Sequence, residues 1–109
     1  MQMNKMRRKA IYIIIARLNA LMLEDDIEKL HDQLADIIED IESILNDEEC
    51  YKDNIPENLQ NGSRYEESEY SCDCLQDAIY ELEYTIDEEE KETIMTAINS
   101  AADYLNDAT

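Results

Sequence analysis

The stretch IEKLHDQLADIIEDIESI, residues 27–44, sets apolar side chains at Ile27, Leu30, Leu34, Ile37, Ile41 and Ile44. The spacing alternates three and four, so all six lie along one stripe of an α-helix. Upstream, Ile11, Ile14, Leu18 and Leu21 repeat the alternation in a different phase, while Ile13, Ala16, Ala20 and Leu23 continue the 27–44 phase backwards. Residues 10–23 are therefore apolar over a wide arc, which predicts packing against more than one neighbour. Downstream the pattern returns at Tyr65, Ser68, Cys72, Leu75, Ile79, Leu82 and Ile86. It resumes one step out of phase at Ile94, Ile98, Ala101 and Leu105.

Between these runs lies KDNIPENLQNGS, residues 52–63, which holds the chain's only proline and only glycine. Asn61-Gly62 is turn chemistry, and Pro56 suits the first turn of a short helical piece but would interrupt a long one. Ser63-Arg64-Tyr65-Glu66 has the form of a capping box, which predicts a helix starting at Ser63. The flanking segments, about 4–50 and 63–107, would each run about 65–70 Å at the helical rise. The expected fold is all-α: one domain, residues 1–109, in which two long helices form an antiparallel, coiled-coil-like hairpin around the turn 51–62. Residue i then faces about residue 114−i, and Ile55 and Leu59 plug the closed end. DEEEKE, residues 87–92, supplies no seam residue. Either the helix kinks there or Asp87 caps a third helix with Glu90 answering it; without Gly or Pro, a continuous or slightly kinked helix is the expectation. Two such hairpins would pair into a four-helix bundle, so a homodimer is expected.

The 109 residues carry a formal charge of −19 and, although 44% are hydrophobic, include no Trp or Phe. Such a charge repels nucleic acid and attracts basic protein surfaces or cations, so no direct nucleic-acid partner is expected. Three cysteines, Cys50, Cys72 and Cys74, form an odd set that suits a reducing cytoplasm. Residues 3–23 begin basic and continue through Ile11–Ile15, in the manner of a signal peptide. Arg17 and Asn19 interrupt that run, and it is too short to span a bilayer. A cytoplasmic protein without a membrane partner is the expectation.

The charge is unevenly placed. Residues 1–23 carry Lys5, Arg7, Arg8, Lys9 and Arg17 and no acid; in the hairpin these would be neutralised beside Asp103, Asp107 and the carboxy terminus. Residues 24–49 hold twelve acids against one lysine, and residues 65–90 hold eleven acids and no base. Side by side over about 39 Å, they would carry one negative charge per roughly 1.8 Å, close to the value of about 1.7 Å for duplex DNA. Heptad offsets place Asp25, Glu28, Asp32, Asp36, Glu39 and Glu42 outward on the first helix. On the second they place Glu66, Glu67, Asp73, Asp77 and Glu81 outward, together with Tyr70, Tyr80 and Tyr84 off the seam. These fourteen residues are the candidate partner-binding face: carboxylates for Arg and Lys, and tyrosines to cover the cations' flat or apolar parts.

Catalytic and metal chemistry find little support. Glu28-Lys29-Leu30-His31 has the E-x-x-H spacing of di-iron bundles, but such a site needs two copies and two more inward glutamates. Cys72-Asp73-Cys74 is too tightly spaced for a zinc arm; Cys72 reads as core and Cys74 as outward. The chain has no glycine-rich phosphate loop and no calcium-loop pattern, and a nucleophile–base pair could be drawn only through His31. No catalytic residue, metal or cofactor is assigned, and the chain is read as a non-enzyme.

CYKDNIPENLQNGSRYEESE, residues 50–69, followed by LQDAIYELEYTID, residues 75–87, resembles a group of small acidic helical phage and prophage proteins of Firmicutes with a DN-PENLQ loop. The matching positions are Asp53, Asn54, Pro56, Glu57, Asn58, Leu59, Gln60, Ser63, Arg64, Tyr65 and Glu66. The chain departs from the group in the tyrosines and cysteines of its second acidic segment. The resemblance implies a phage setting and hence a host cytoplasm. Small acidic phage proteins resemble inhibitors of host defence, including anti-CRISPR and anti-restriction proteins that occupy basic nucleic-acid channels. The function expected is therefore inhibition of a host defence nuclease, by an acidic helical surface on its basic nucleic-acid-binding site. A self-associating scaffold or adaptor is the alternative.

Overall fold

Two breaks that contain neither glycine nor proline, residues 22–26 and 84–90, divide the expected long helices in half. The computed structural model describes residues 4–109, and every regular element in them is helical: α1 Lys5–Leu21, α2 Ile27–Asp53, α3 Ser63–Glu83 and α4 Lys91–Ala108. A single 3-10 turn, Glu57–Leu59, lies within the α2–α3 connection. α2 packs on α1 and α3, and α4 packs on α3 and α1, so consecutive antiparallel helices close a four-helix bundle.

The all-α bundle is as expected, but its construction corrects the two-helix division at 4–50 and 63–107. The α2–α3 half keeps the hairpin register: Glu48 meets Ser68, and Asp25 meets Lys91, so residue i faces about residue 116−i. The two breaks stand at the same level, and the outer half, α1 with α4, folds back along the inner half. The molecule measures 50 × 22 × 18 Å, shorter than the 65–70 Å hairpin expected from the helical rise. Four seams are thereby buried within one chain.

Carboxylates make the breaks. Asp26 caps α2, its Oδ1 accepting from the amides of Glu28 at 3.0 Å and Lys29 at 3.4 Å, and Glu24 accepts from the Asp26 amide. Aspartate competes well for such amides, so an acidic run ends a helix without any Gly or Pro. At the second break, the Thr85 hydroxyl donates to the Leu82 carbonyl at 2.6 Å, and Glu88 accepts from the Glu90 amide. Glu90, not Asp87, stands at the N-cap of α4, in extended geometry and without a side-chain cap. The acids there gather at a helix N-terminus, where the dipole favours them. Likewise Gly62 rather than Ser63 is the N-cap of α3, so the expected Ser63–Glu66 capping box does not form.

The core follows the seams. Leu30, Leu34, Ile37 and Ile41 on α2, Leu75 and Leu82 on α3, and Ile94, Ile98, Ala101 and Leu105 on α4 are all fully buried. The two inner helices also bury a flank beside their seams: Ile38 and Leu45 on α2, and Ser71, Cys74 and Ala78 on α3. Cys74 is therefore inside, correcting its outward placement. Ile55 is buried, whereas Leu59 is exposed and plugs nothing. Ile86 is also exposed, because α3 has ended before it. No helix among the described residues is long and apolar enough to cross a membrane.

Two outcomes follow from this packing. Ile98→Ala should cost about 2–5 kcal/mol in urea unfolding. Ile86→Ala should stay within about 0.5 kcal/mol, whereas a helix continuous through 86 would bury it and make both large. Burial pushes the Cys72 thiol up from 9.0 to about 11. In the unfolded chain that thiol ionises from pH 9 upward and in the folded protein only near 11, so its stabilising contribution is complete below pH 9 and lost as pH rises towards 11. Unfolding free energy over this window should fall more steeply for the wild type than for Cys72→Ala.

Candidate binding face

The outer poles of α2 and α3 carry the acids that the heptad offsets assign to them. Glu28, Asp32, Asp36, Glu39 and Glu42 on α2 are exposed, as are Glu66, Asp73 and Asp77 on α3, while Glu67 and Glu81 are half-buried. Tyr70 and Tyr80 are each 56% exposed and Tyr84 is 81% exposed, values that leave most of each ring free for contact. Between the two helices runs an open groove of about 350 Å³, floored by Leu45 and Ile79 and edged by Glu42, Glu49 and Glu83. Glu83 belongs to this edge although the sequence reading did not select it.

Of the fourteen residues Glu42 edges that groove, and the others are spread over the surface of α2, α3 and the two breaks rather than gathered in one pocket. Tyr80 and Tyr84 lie with Glu83 in a shallow concavity near the end of α3. Glu66, Glu67 and Tyr70 gather at its start, beside Asp107 and Thr109 of α4. The Tyr70 phenol is held above its usual range, first by hydrogen bonding to the Cys74 thiol one turn on and then by the neighbouring negative charges. Asp25 leaves the set: Lys91 bridges it across the two breaks, and that hydrogen bond and charge hold its carboxyl below the usual range.

α1 packs on α4 with its start near the end of α4, where the Tyr12 hydroxyl donates to Thr109 Oγ1 at 3.4 Å, but two of its bases pair with α2. Arg17 bridges Asp40 at 2.6 Å, and Arg7 approaches Glu48 at 3.6 Å. Asp40 is exposed and Glu48 is buried in the core between α1, α2 and α3, so neither pair neutralises the exposed acids along the outer face of α2. Among the described residues, no cation stands within salt-bridge distance of Asp32, Glu39, Glu42, Asp73 or Asp77.

Glu48 was not singled out from the sequence, yet it is 1% exposed. Its Oε2 accepts from the Ser68 hydroxyl at 2.9 Å, its Oε1 faces Arg7, and the Arg7 guanidinium lies 5.2 Å from the centre of the Tyr51 ring. One carboxylate thus ties α1, α2 and α3 together. The three–four alternation could have found it, since the step after Ile44 lands on Glu48.

His31 is also committed within the fold: its Nε2 donates to the Glu88 carbonyl at 2.6 Å, pinning the start of α2 to the second break. Among the described residues, no group of three or more His, Cys, Asp or Glu is arranged to hold a metal ion.

Comparison with known proteins finds no matching family model, no similar curated protein and no similar solved structure.

Removing one partner of the Glu48 cluster strands a buried charge. Glu48→Ala should cost about 3–5 kcal/mol, while Arg7→Met combined with Glu48→Met should recover most of that loss. A double-mutant cycle by urea unfolding measures the coupling.

Proposed function

We propose that the protein is a non-enzymatic inhibitor of phage type, which blocks a host defence nuclease by laying its acidic α2–α3 face on the basic surface that holds nucleic acid. The observation that carries this reading is the set of exposed carboxylates on two adjacent antiparallel helices, Asp32, Glu39 and Glu42 with Asp73 and Asp77, which have no cation within salt-bridge distance among the described residues and lie with exposed tyrosines of α3. Residues 24–49 and 65–90 each have a net charge of −11. Arg7 and Arg17 of α1 pair with Glu48 and Asp40, away from the exposed acids of the α2–α3 face, so a cationic partner can neutralise what the chain itself leaves charged. Tyr80 and Tyr84 add rigid aromatic area where arginine side chains could stack.

The phage setting and the class of target rest on the loop resemblance around residues 50–69. The non-enzymatic reading draws support from His31, whose Nε2 is engaged by the Glu88 backbone carbonyl. In this reading the protein acts in the host cytoplasm and contacts neither nucleic acid nor membrane directly. A homodimer is compatible with it, because the α1 side of the bundle lies away from the α2–α3 groove.

Asp32→Asn, Glu39→Gln, Asp77→Asn and Glu81→Gln together should abolish capture of a basic nuclease from host lysate, with helicity unchanged by circular dichroism. Capture by the wild type should weaken steeply as salt rises, since exposed charges beyond about 10 Å are screened at 0.1 M. Equal inhibition by the neutralised variant would remove the basis for the proposal.

A further inference from the structure

The outer pole of α1 is apolar where the other outer poles are charged. Met6 is 81% exposed, Ile13 55% and Leu23 87%, and Ala16 and Ala20 are exposed between them. Met6, Lys9, Ile13, Ala16 and Ala20 alternate three and four, so at about 100° per residue they lie opposite the buried seam Ile11, Ile14, Leu18, Leu21, and Leu23 follows in the turn just past the end of the helix. The helix thus presents one apolar seam to its own bundle and a second to the outside, and nothing in the described chain covers the second.

The charges at its two ends indicate what does. The first turns of α1 present exposed Lys5 and Lys9, and the turn that ends the helix leads to half-buried Glu24 and exposed Asp25 and Asp26. We infer that two copies of the chain associate through this stripe, with their α1 helices antiparallel about a twofold axis between residues 14 and 15. In that register Met6 meets the second copy's Leu23, Ile13 meets its Ala16, and Lys9 lays its stem across its Ala20. Lys5 then faces Glu24, at both ends of the pair. A parallel pairing would instead set lysines against lysines and acids against acids. The alanines let the two axes approach closely, and the self-complementary pattern is what a twofold interface requires.

A bilayer is the other surface that takes basic, apolar helices. However, residues 24–109 carry a net −24 against +5 on residues 1–23, and an anionic membrane would repel that bulk.

Sedimentation equilibrium over a wide concentration range should show reversible dimerisation of the wild type. Ile13→Glu, at a position already exposed, should keep full helicity and weaken association on the order of a hundredfold, because it sets acids into an apolar seam. Lys5→Glu should weaken it about tenfold at low salt, and Lys5→Glu combined with Glu24→Lys should restore it. In a Cys50→Ser background, mixed Met6→Cys and Leu23→Cys proteins should oxidise to the mixed dimer in preference to either homodimer. A wild type monomeric at every concentration overturns the inference. So does a dimer indifferent to Ile13→Glu, a cross-linking preference for homodimers, or binding to anionic vesicles that Ile13→Glu removes from a monomeric protein. None of these outcomes bears on the acidic face, so the two proposals fail separately.

Discussion

A helix with apolar residues on a wide arc needs two neighbours, and a simple hairpin offers only one. In this chain α3 exceeds what a single facing helix can cover: it buries Cys72, Leu75 and Ile79 in its seam and also Ser71, Cys74 and Ala78 on its flank. Folding the hairpin over at one level supplies the missing neighbour for all four helices at once. The constraint is geometric as well as energetic, because the two breaks must lie opposite each other if both strands of the hairpin are to turn back together. The Asp25–Lys91 bridge and the His31–Glu88 hydrogen bond join the breaks at that level.

The same excess of acid serves two purposes. Isolated along a helix face, Asp32 or Asp77 remains in solvent; in the breaks, Asp26 caps the amides that open α2 and Glu88 accepts from the Glu90 amide ahead of α4. This dual use explains what was and was not legible in the sequence. The seams of α2 and α4 were, because apolar periodicity reports burial directly. The exposure of Tyr70, Tyr80 and Tyr84 was too, since it follows from offset against a seam. The break at 22–26 was hidden, because carboxylates that cap a helix look like carboxylates that coat one. Cys74 was misplaced for a related reason: one seam per helix is assumed by a hairpin and violated by a bundle.

Charge and fold are coupled through α1. Had the chain remained a long hairpin, its basic segment would have lain at the far end, beyond the acidic body. Folding back moves Arg7 and Arg17 onto α2, where one partner, Glu48, is buried and the other, Asp40, is exposed. Those two acids are thereby paired while the exposed acids of the α2–α3 face are not, and the molecule acquires a sidedness that its composition alone does not contain.

The order of the helices around the bundle has a consequence for how the chain reaches this state. Three of the four packed pairs join helices adjacent in sequence, and only α1 against α4 brings distant segments together. Local pairings cost little chain entropy and form early, whereas closing a long loop is dearer, though its cost grows only logarithmically with length. The inner hairpin, α2 with α3, can therefore zip from the 54–62 turn outward, and the outer helices dock onto it afterwards. Folding speed is then set by short-range events.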